Sequence, residues 1–304
     1  MKRLVILNPK SRSGRALTVF RALEPDIRAR LGQLDVYETT APLDATARVR
    51  EALRKRQYDQ ILIAGGDGTI NEAVNGYFDG KKQIDTKIPM GVFNLGTGGD
   101  FYKTVQQLSG VYDVAIKENK SKKVDVGRVT IGGEVRHFIN IASAGVAGQI
   151  MNSLKNSTFQ WGSPAYYYHT VKSLILYRPQ TVTIRYVSNG KKEEVRVSLL
   201  NFFACNGRFN GGGMNWAPNA QLNDGLFDCV IIGGVSKMKL VTQSPKVYAG
   251  RISEFPGTVQ FRASEVSLIS EQTVEGEADG EVYVMNGGGE IRYETLPGCL
   301  PLIL

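Results

Sequence analysis

The feature that most constrains this chain is residues 61–72, in which an apolar run ends in the turn Gly65–Thr69, GGDGT. Aliphatic and β-branched residues precede the glycines, and apolar residues recur at helical spacing from Ile70, which predicts a strand, a turn and a helix. Glycine lets such a turn approach a ligand closely, and the first N–H groups of the helix carry the positive end of its dipole. The pattern favours a phosphate-binding turn over an ordinary α/β turn in which Asp67 and Thr69 only cap the helix.

Length and composition bound the class of protein. The 304 residues are 42% hydrophobic and 22% charged, as in globular chains of one large domain or two, and two are expected. The apolar run after the basic start Met1–Arg3 stops at Asn8, and no stretch approaches the roughly 18 apolar residues of a membrane span, so a cytoplasmic protein is expected. A formal charge of +8 permits an anionic partner, but without a common nucleic-acid-binding motif no nucleic acid is expected.

Two more stretches repeat the order of strand, polar or glycine turn, and helix. Arg3–Leu7 runs into a turn that ends at Gly14, and Lys87–Phe93 runs into Asn94–Asp100, which holds three glycines and an aspartate. Because the carboxyl ends of parallel strands share one edge of a sheet, these turns and Gly65–Thr69 should face one crevice. The chain has no Walker-type glycine and lysine loop, which counts against P-loop chemistry.

The pattern changes near residue 130, where short alternating segments separated by Asn-Gly or glycine-rich turns predict a β-rich second domain. These segments are Val135–Ile141, Thr181–Val187, Glu194–Phe203 and Val259–Phe261. A helical insertion, Ser163–Leu176, follows Trp161 and carries several tyrosines, which either pack on the sheet or form a lip toward lipid. The basic run Lys117–Lys123 fits either a solvated turn or a contact for anionic headgroups. The three cysteines lie in apolar contexts and are expected to be buried thiols.

Carboxylates occur at three places where their charge needs explanation. Asp125 interrupts an apolar strand, so it should be paired or hydrogen-bonded unless that strand is an edge that faces water. Asp224 lies in an Asn-Asp-Gly sequence, which is a good turn by itself. The stretch Glu275–Glu281 holds four carboxylates that repel one another unless a metal, cations or protons intervene, and an exposed acidic turn is the simpler alternative.

Together these residues resemble a known family. Gly65–Thr69 followed by Asn71-Glu72 resembles the nucleotide-binding signature of the diacylglycerol kinase and sphingosine kinase catalytic domain, especially its soluble bacterial branch. NAD kinases and phosphofructokinases carry related Gly-Gly-Asp-Gly turns, so this motif by itself indicates only a superfamily. Further motifs of the family follow in order at Gly96–Phe101, Val124–Gly127, residues 211–226 and Asp279–Glu281. The resemblance therefore covers almost the whole chain, and the sequence departs from the family pattern at Arg12, Gly99, Tyr102 and Ala278.

The resemblance implies a fold and an activity. The fold is an α/β N-terminal domain with a parallel sheet, like that of phosphofructokinase and NAD kinase, over residues 1–130, and a β-sandwich domain over 131–294, with the tail 295–304 returning to the first domain. The activity is ATP- and Mg²⁺-dependent phosphorylation of a lipid hydroxyl, of diacylglycerol or a related lipid, in the cleft between the domains. A lipid acceptor implies peripheral contact with a membrane surface. The oligomeric state, including a homo-oligomer, stays open.

The resemblance also implies the site residues. Glu281 would be the general base, with Asp67 as the competing choice. Asp100 and Asp125 would join Asp67 around Mg²⁺, and Asp224 would hold a structural magnesium with backbone carbonyls. The residues that would bind the nucleotide are Asn8, Ser11, Gly14, Thr40, Gly65, Gly66, Asp67, Gly68, Thr69, Asn71, Glu72, Gly96, Thr97 and Gly98. An NAD kinase, and a catalytically weak protein that binds lipid or nucleotide, are the alternatives.

Overall fold

A computed structural model describes residues 1–84, 87–109, 121–157, 162–188 and 190–304. The strands of these residues are β1 (Arg3–Leu7), β2 (Leu34–Glu38), β3 (Gln60–Gly65), β4 (Phe78–Asp79), β5 (Lys82–Gln83), β6 (Met90–Asn94), β7 (Ser121–Ile131), β8 (Glu134–Phe138), β9 (Ile141–Gly145), β10 (Gln180–Ser188), β11 (Lys191–Cys205), β12 (Phe209–Asn210), β13 (Met214–Asn215), β14 (Phe227–Gly233), β15 (Thr258–Ala263), β16 (Glu265–Ser270), β17 (Val274–Ala278), β18 (Glu281–Met285) and β19 (Gly289–Ile303). The helices are α1 (Ser11–Gly14), α2 (Ala16–Leu31), α3 (Asp44–Lys55), α4 (Asp67–Gly76), α5 (Asp100–Ser109), α6 (Val146–Lys155), α7 (Gly162–Leu176) and α8 (Lys237–Tyr248), with a 3-10 turn at Ile252–Glu254.

The first part of the chain forms a parallel sheet in which β2, β1, β3 and β6 lie side by side in that order. Successive side chains of a strand point to opposite faces, so Leu4 and Ile6 join one apolar cluster with α3 and α4, while Val5 and Leu7 join another with α2. Both faces of the sheet are therefore covered, as parallel sheets require. The carboxyl ends of β1, β3 and β6 open on one edge.

The second part is built from antiparallel strands. The long strand β11 pairs with β10 over Lys191–Leu199 and with both β14 and β9 over Asn201–Cys205. The hairpin of β17 and β18 pairs with β9 through β17. Successive side chains of β11 again point to opposite faces of the sheet. Phe202 lies in the inner core with Phe227 and Tyr293, and Phe203 packs on the other face with Trp216. That second cluster also contains residues of α6 and α8, which cover the outer face.

The strand β19 connects the two parts. It pairs with β7 from Ile291 to Ile303, and its Leu302 also pairs in parallel with Met90 of β6. The parallel and antiparallel strands consequently belong to one mixed sheet. The predicted fold class, a parallel α/β part followed by a β-sandwich part, is confirmed.

Two segments differ from the prediction. The single strand expected over Val135–Ile141 is divided into β8 and β9, because the backbone N–H groups of residues 139–141 bond to the carboxylate of Asp279 instead of a neighbouring strand. The acidic stretch around Glu277, for which an exposed turn was the simpler alternative, is the hairpin of β17 and β18, and Glu277 itself is buried. The tip expected at Ser188–Lys191 is present, since these two residues pair across β10 and β11.

The helix expected at Ser163–Leu176 is α7, which packs against α6. Leu174 reaches the cluster on the outer face, but Tyr168, Ile175 and Leu176 remain exposed, so packing accounts for only part of its apolar surface. Trp161 and the basic residues 117–120 lie outside the described residues. Within the part of the chain that is described, no helix is long and apolar enough to cross a membrane.

Candidate active site

The turn Gly65–Thr69 joins β3 to α4 as predicted. Gly66 is the N-cap of α4, and no side chain among the described residues caps this end. A Cβ at Gly65 would lie 2.6 Å from the Thr69 side chain, whereas a Cβ at Gly68 would meet nothing within 4 Å. Gly65 is therefore required by internal packing, whereas Gly68 faces open space. Both lie at a helix N-terminus, and the N–H groups of such an end can bind an anion.

The second glycine turn, between β6 and α5, touches the first. A Cβ at Gly96 would lie 2.5 Å from Cα of Gly66, so the two backbones approach each other as only glycines allow. Asp67 joins the same turns, since its carboxylate accepts from the N–H groups of Asp100 and Phe101 at 3.2 Å each and so caps α5. Burial raises the pKa of Asp67, and the charge of Asp100 adds to this effect.

Asp100 links this edge to the second part of the chain. It is 7% exposed, and its carboxylate accepts from the N–H of Gly212 at 2.8 Å and pairs with Lys103 at 2.9 Å. Gly211, Gly212 and Gly213 all have positive φ, between 67° and 104°, which explains the run of three glycines. The expected motif at residues 211–226 thus contacts the expected motif at Gly96–Phe101.

Asp125 and Asp224 belong to a different neighbourhood. Asp125 is 1% exposed, and its carboxylate accepts from the N–H groups of Gly225 and Gly298 at 2.7 Å each. It is hence hydrogen-bonded, as its place in an apolar strand predicted, and burial raises its pKa. The carboxylate of Asp224 pairs with the guanidinium of Arg262 and accepts from the N–H of Leu226 at 3.1 Å.

The hairpin of β17 and β18 turns through Asp279 and Gly280, which have φ of 50° and 87°. Positive φ at both central residues is the reason for an Asp-Gly pair here. Although Asp279 as a residue is only half-buried, four donors enclose its carboxylate: the N–H groups of residues 139, 140 and 141 and Nδ2 of Asn71, at 2.8 to 3.1 Å. Burial raises the pKa of Asp279 to about 6, and these hydrogen bonds oppose the shift.

Two glutamates flank this turn in opposite environments. Glu277 is 2% exposed, and its carboxylate accepts from Ser143 Oγ, Asn210 Nδ2 and the N–H of Gly280. Burial raises the pKa of Glu277 to about 7. Glu281 begins β18 with an exposed carboxylate, 3.4 Å from Nζ of Lys155.

The helix α4, which follows the first glycine turn, also meets the turn at Asp279 and Gly280. Asn71, on α4, donates from Nδ2 to Asp279 at 3.0 Å and to the carbonyl of His137 at 3.0 Å. Glu72 is half-buried, its pKa is raised by burial, and the charge of Glu281 adds to this effect. The motifs at residues 65–72 and 279–281, which lie more than half the chain apart, are consequently neighbours in the fold.

The remaining predicted residues lie at the edge of the sheet. Asn8 donates from Nδ2 to Thr69 Oγ1 at 3.0 Å, which joins the first turn to the second. Ser11 and Gly14 begin and end α1, and Arg12 between them has a φ of 54°, a conformation that favours glycine, so its side chain stands where the family has glycine. The hydroxyl of Thr40 donates to Asp44 at 3.1 Å, while Thr97 and Gly98 are exposed.

The expected group of three aspartates around one Mg²⁺ is not brought together. Among the described residues, no three acidic, histidine or cysteine side chains lie close enough to bind one metal ion. The reason is that Asp67 and Asp125 use their carboxylates on backbone N–H groups of different loops. Asp67 and Asp100 stay neighbours, and one or two carboxylates suffice for an ion that nucleotide phosphates also bind. The roles of Asp125 and Asp224 stay predictions.

Sequence reasoning missed Glu277, Asn210 and Arg262. Glu277 and Glu281 lie in one acidic stretch, and no sequence pattern indicates that Glu277 is buried while Glu281 is exposed. Arg262 lies 38 residues from Asp224 along the chain, so its ion pair needs the pairing of β14 with β15. The only available signal was the excess of carboxylates, which requires nearby donors or cations.

Comparisons with known proteins agree with this arrangement. A family model described as the diacylglycerol kinase catalytic domain matches residues 2–129, and one described as the YegS C-terminal NAD kinase beta sandwich-like domain matches residues 140–304. A diacylglycerol kinase of Bacillus subtilis (strain 168) is 28% identical over 254 residues, which cover 82% of this chain and 79% of that protein. A diacylglycerol kinase of Staphylococcus aureus (strain Newman) is 29% identical over 286 residues, which cover 91% and 85%.

Solved structures share the fold. The crystal structure of a diacylglycerol kinase from Bacillus anthracis str. Sterne has a TM-score of 0.68 at 22% identity, with 99% of this chain and 96% of that chain covered. A second crystal structure from the same organism has a TM-score of 0.72 at 24% identity, with the same coverage. With both parts of the chain matched by the corresponding family models, this protein belongs to the diacylglycerol kinase family and is a lipid kinase.

Proposed function

We propose that this protein transfers the γ-phosphoryl group of ATP, with Mg²⁺, to the hydroxyl of diacylglycerol or a related lipid in the cleft between its two parts. The observation that carries the proposal is the hydrogen bond from Asn71 to Asp279. This hydrogen bond joins α4, whose N-terminus is the proposed phosphate site, to the turn that directly precedes Glu281. A donor site and a candidate base in one cleft are what phosphoryl transfer to a hydroxyl needs.

On the donor side, the N-terminus of α4 and the turn at Gly96–Gly98 are the proposed binding place for the phosphates. Support comes from the absence of a capping side chain at Gly66 among the described residues and from the free space in front of Gly68. Backbone N–H groups at such an end bind phosphate oxygens and gain from the helix dipole. Asn8 and Thr69, which are hydrogen-bonded to each other, would border the same place.

On the acceptor side, Glu281 is the proposed general base. The lipid oxygen forms its bond to the γ-phosphorus, its proton passes to the Glu281 carboxylate, and ADP leaves. The exposed carboxylate of Glu281 supports this choice, since the one ion pair that it makes with a described residue, Lys155, is screened by water. The carboxylate of Asp67, by contrast, accepts two N–H groups of α5 and is better suited to fixing the two phosphate turns.

Bound Mg²⁺ would neutralise charge on the phosphates. Asp67 and Asp100 are the carboxylates proposed to meet such an ion or its waters, because they lie at the glycine turns. The contact of Asp100 with Gly212 would keep its carboxylate oriented toward the cleft from the other side.

The test is turnover with labelled ATP, Mg²⁺ and a panel of acceptors: diacylglycerol, a sphingoid base, phosphatidylglycerol and NAD. A phosphorylated lipid that disappears when Mg²⁺ is chelated supports the proposal, and the acceptor with the highest kcat/KM identifies the substrate. NADP as the main product would overturn the choice of acceptor. Nucleotide binding without any product would make the chain a binding protein.

A further inference from the structure

Glu277 is a buried carboxylate that the proposed chemistry does not use. It is 2% exposed, and three donors surround it: Ser143 Oγ at 2.8 Å and Asn210 Nδ2 at 3.1 Å on Oε1, and the N–H of Gly280 at 2.8 Å on Oε2. Placing a carboxylate inside a protein is unfavourable unless such donors are present. Its place therefore needs a reason beyond packing.

The partners of Glu277 lead to two carboxylates of the candidate site, those of Glu281 and Asp100. Gly280 directly precedes Glu281, so one carboxylate oxygen of Glu277 holds the turn that presents the proposed base. The other oxygen holds the side chain of Asn210, whose Oδ1 accepts from the N–H of Gly211. The next residue, Gly212, donates to Asp100 beside the phosphate turns.

We propose that Glu277 is a positioning residue for phosphoryl transfer, which fixes Glu281 relative to the glycine loop that contacts Asp100. This inference rests on the proposed function. The hydrogen bonds of Glu277 to Gly280 and Asn210 form a bridge between the turn before Glu281 and the loop Gly211–Gly213. Such a bridge matters because a misplacement of about 1 Å at a reacting group can lower a rate by about 10²-fold. Glu277 itself contacts no substrate in this assignment, and it acts through Gly280 and Asn210.

The bridge depends on the charge of Glu277. The amide groups of Gly280 and Asn210 can only donate in these contacts, so an ionised carboxylate accepts every bond. A proton on Oε2 would face the N–H of Gly280, and a proton on Oε1 would compete with Nδ2 of Asn210. Protonation should consequently loosen the turn or the glycine loop, and the ionised form should be the active one.

Most of the other titratable groups around Glu277 do not change charge near pH 7. Asp279 lies on the same turn, and the side chains of Tyr283, Tyr293 and Cys205 interact with the charge of Glu277 from β18, β19 and β11. Burial raises the pKa of both tyrosines and of the cysteine, so all three stay neutral near pH 7. Glu277, with a pKa raised by burial to about 7, and Asp279, with a pKa raised to about 6, are the members of this group that change charge there.

The experiment compares Glu277→Gln with Tyr283→Phe. Gln keeps the size of the side chain but puts an NH₂ group against a donor, either at Gly280 or at Asn210. The Tyr283→Phe control removes buried hydrogen bonds to Ser143 O and Tyr293 from the same hairpin without touching the turn. We expect kcat of Glu277→Gln to fall by about tenfold to 10²-fold, with a smaller change in KM for ATP, and kcat of Tyr283→Phe to stay within about twofold of wild type.

The pH profile separates positioning from stability. In the wild type kcat should rise with pH through about 7, and this rise should be absent in Glu277→Gln. Ser143→Ala provides a second variant that should fold, since it only removes one donor. Because Ser143 favours the ionised form of Glu277, its loss should move the rising limb to higher pH and leave the plateau rate near wild type.

Hydrogen exchange gives a readout that needs no activity. In Glu277→Gln the amides of residues 274–285 and 209–215 should exchange faster, while those of β1 and β3 should not change. An unchanged kcat and pH profile in Glu277→Gln would overturn the proposal. A loss of kcat in Tyr283→Phe as large as in Glu277→Gln would also overturn it. So would a Ser143→Ala variant whose kcat rises over the same pH range as in the wild type. If Glu281→Gln retains full turnover, the proposed base is wrong, and unchanged exchange at residues 209–215 in Glu277→Gln would then also reject the bridge.

Discussion

Two turns of the candidate site pair an aspartate with glycine, and they are held in different ways. The carboxylate of Asp67 accepts from backbone groups only 33 and 34 residues further along the chain, at the adjacent strand end of the same parallel sheet. The carboxylate of Asp279 accepts from groups 138 to 208 residues away, on β9, the segment before it, and α4. The turn Gly65–Thr69 is consequently held by a neighbouring strand end, whereas the carboxylate of Asp279 is held by segments that lie far away along the chain.

The difference has a consequence for function. The contacts that hold Asp67 come from the neighbouring strand end of the same sheet, whereas the turn that carries Glu281 is held by contacts from both parts of the chain. Substitutions that fill space at the first turn, as at Gly68, should therefore act mainly on nucleotide binding, whereas a change of Asp67 should also lower kcat. Substitutions in the second turn should act on the transfer step.

The largest effect is expected for Glu281→Gln. Gln keeps the shape and the hydrogen-bonding reach of Glu281 but cannot accept the proton of the acceptor hydroxyl at neutral pH, so turnover should fall by about 10²- to 10⁴-fold. ATP affinity by calorimetry and the melting temperature should stay near wild type, since the carboxylate is exposed. The matched control is Glu265→Gln, which removes another exposed carboxylate with an ion pair, to Arg292, outside the cleft.

Full turnover in Glu281→Gln would indicate that Asp67, and not Glu281, is the general base. Loss of nucleotide binding would instead make Glu281 part of the donor site. Either result would contradict the division of labour between the two turns.

The next effect in size is expected for Asp67→Asn. An amide oxygen can accept only part of what the carboxylate accepts from Asp100 and Phe101, and it loses the charge that would meet a metal or its waters. The value of kcat should fall by about 10²-fold. Stability should fall by only about 1 kcal/mol, as for a weakened helix cap, which chemical denaturation measures. Turnover equal to wild type would remove Asp67 from the mechanism.

The sequence predicted most of what depends on neighbouring segments. The glycine turn before α4, the parallel strands around it and the hydrogen-bonded state of Asp125 all follow from local patterns and from the cost of burying polar groups. Two of the three expected buried thiols, Cys205 and Cys229, are buried, and Cys299 is half-buried.

What could not be predicted depends on contacts between distant residues. The break between β8 and β9 arises because Asp279 takes the N–H groups of residues 139–141, and no pattern within Val135–Ile141 shows this. Likewise, the burial of Glu277 depends on Ser143 and Asn210, which lie 134 and 67 residues away. Propensity and periodicity describe a segment, not the groups that meet it after folding.

A smaller effect is expected for Asn71→Ala, which tests the link between the two turns. Removing Nδ2 takes one of four donors from the Asp279 carboxylate and one donor from the carbonyl of His137, so the free energy of unfolding should fall by about 1 to 3 kcal/mol. The matched control is Asn75→Ala on the same helix, because Asn75 also bonds to the backbone of His137 but not to Asp279. Denaturation should show losses in both variants, while kcat should fall only in Asn71→Ala. If Asn71→Ala and Asn75→Ala had the same kcat, the hydrogen bond from Asn71 to Asp279 would not orient Glu281.

The smallest effect, and the sharpest test of the first turn, is expected for Gly68→Ala compared with Gly65→Ala. A methyl group at position 68 has open space and stands in the first turn of α4, so stability should stay equal or rise by up to about 1 kcal/mol from helix propensity. The same methyl group would fill space before the N–H groups, and the dissociation constant for ATP should rise by about tenfold, or 1.4 kcal/mol.

At position 65 the methyl group would collide with Thr69, so stability should fall by about 1 to 3 kcal/mol. Calorimetry on both variants separates the effects, and unchanged ATP affinity in a stable Gly68→Ala would move the phosphates away from this helix end.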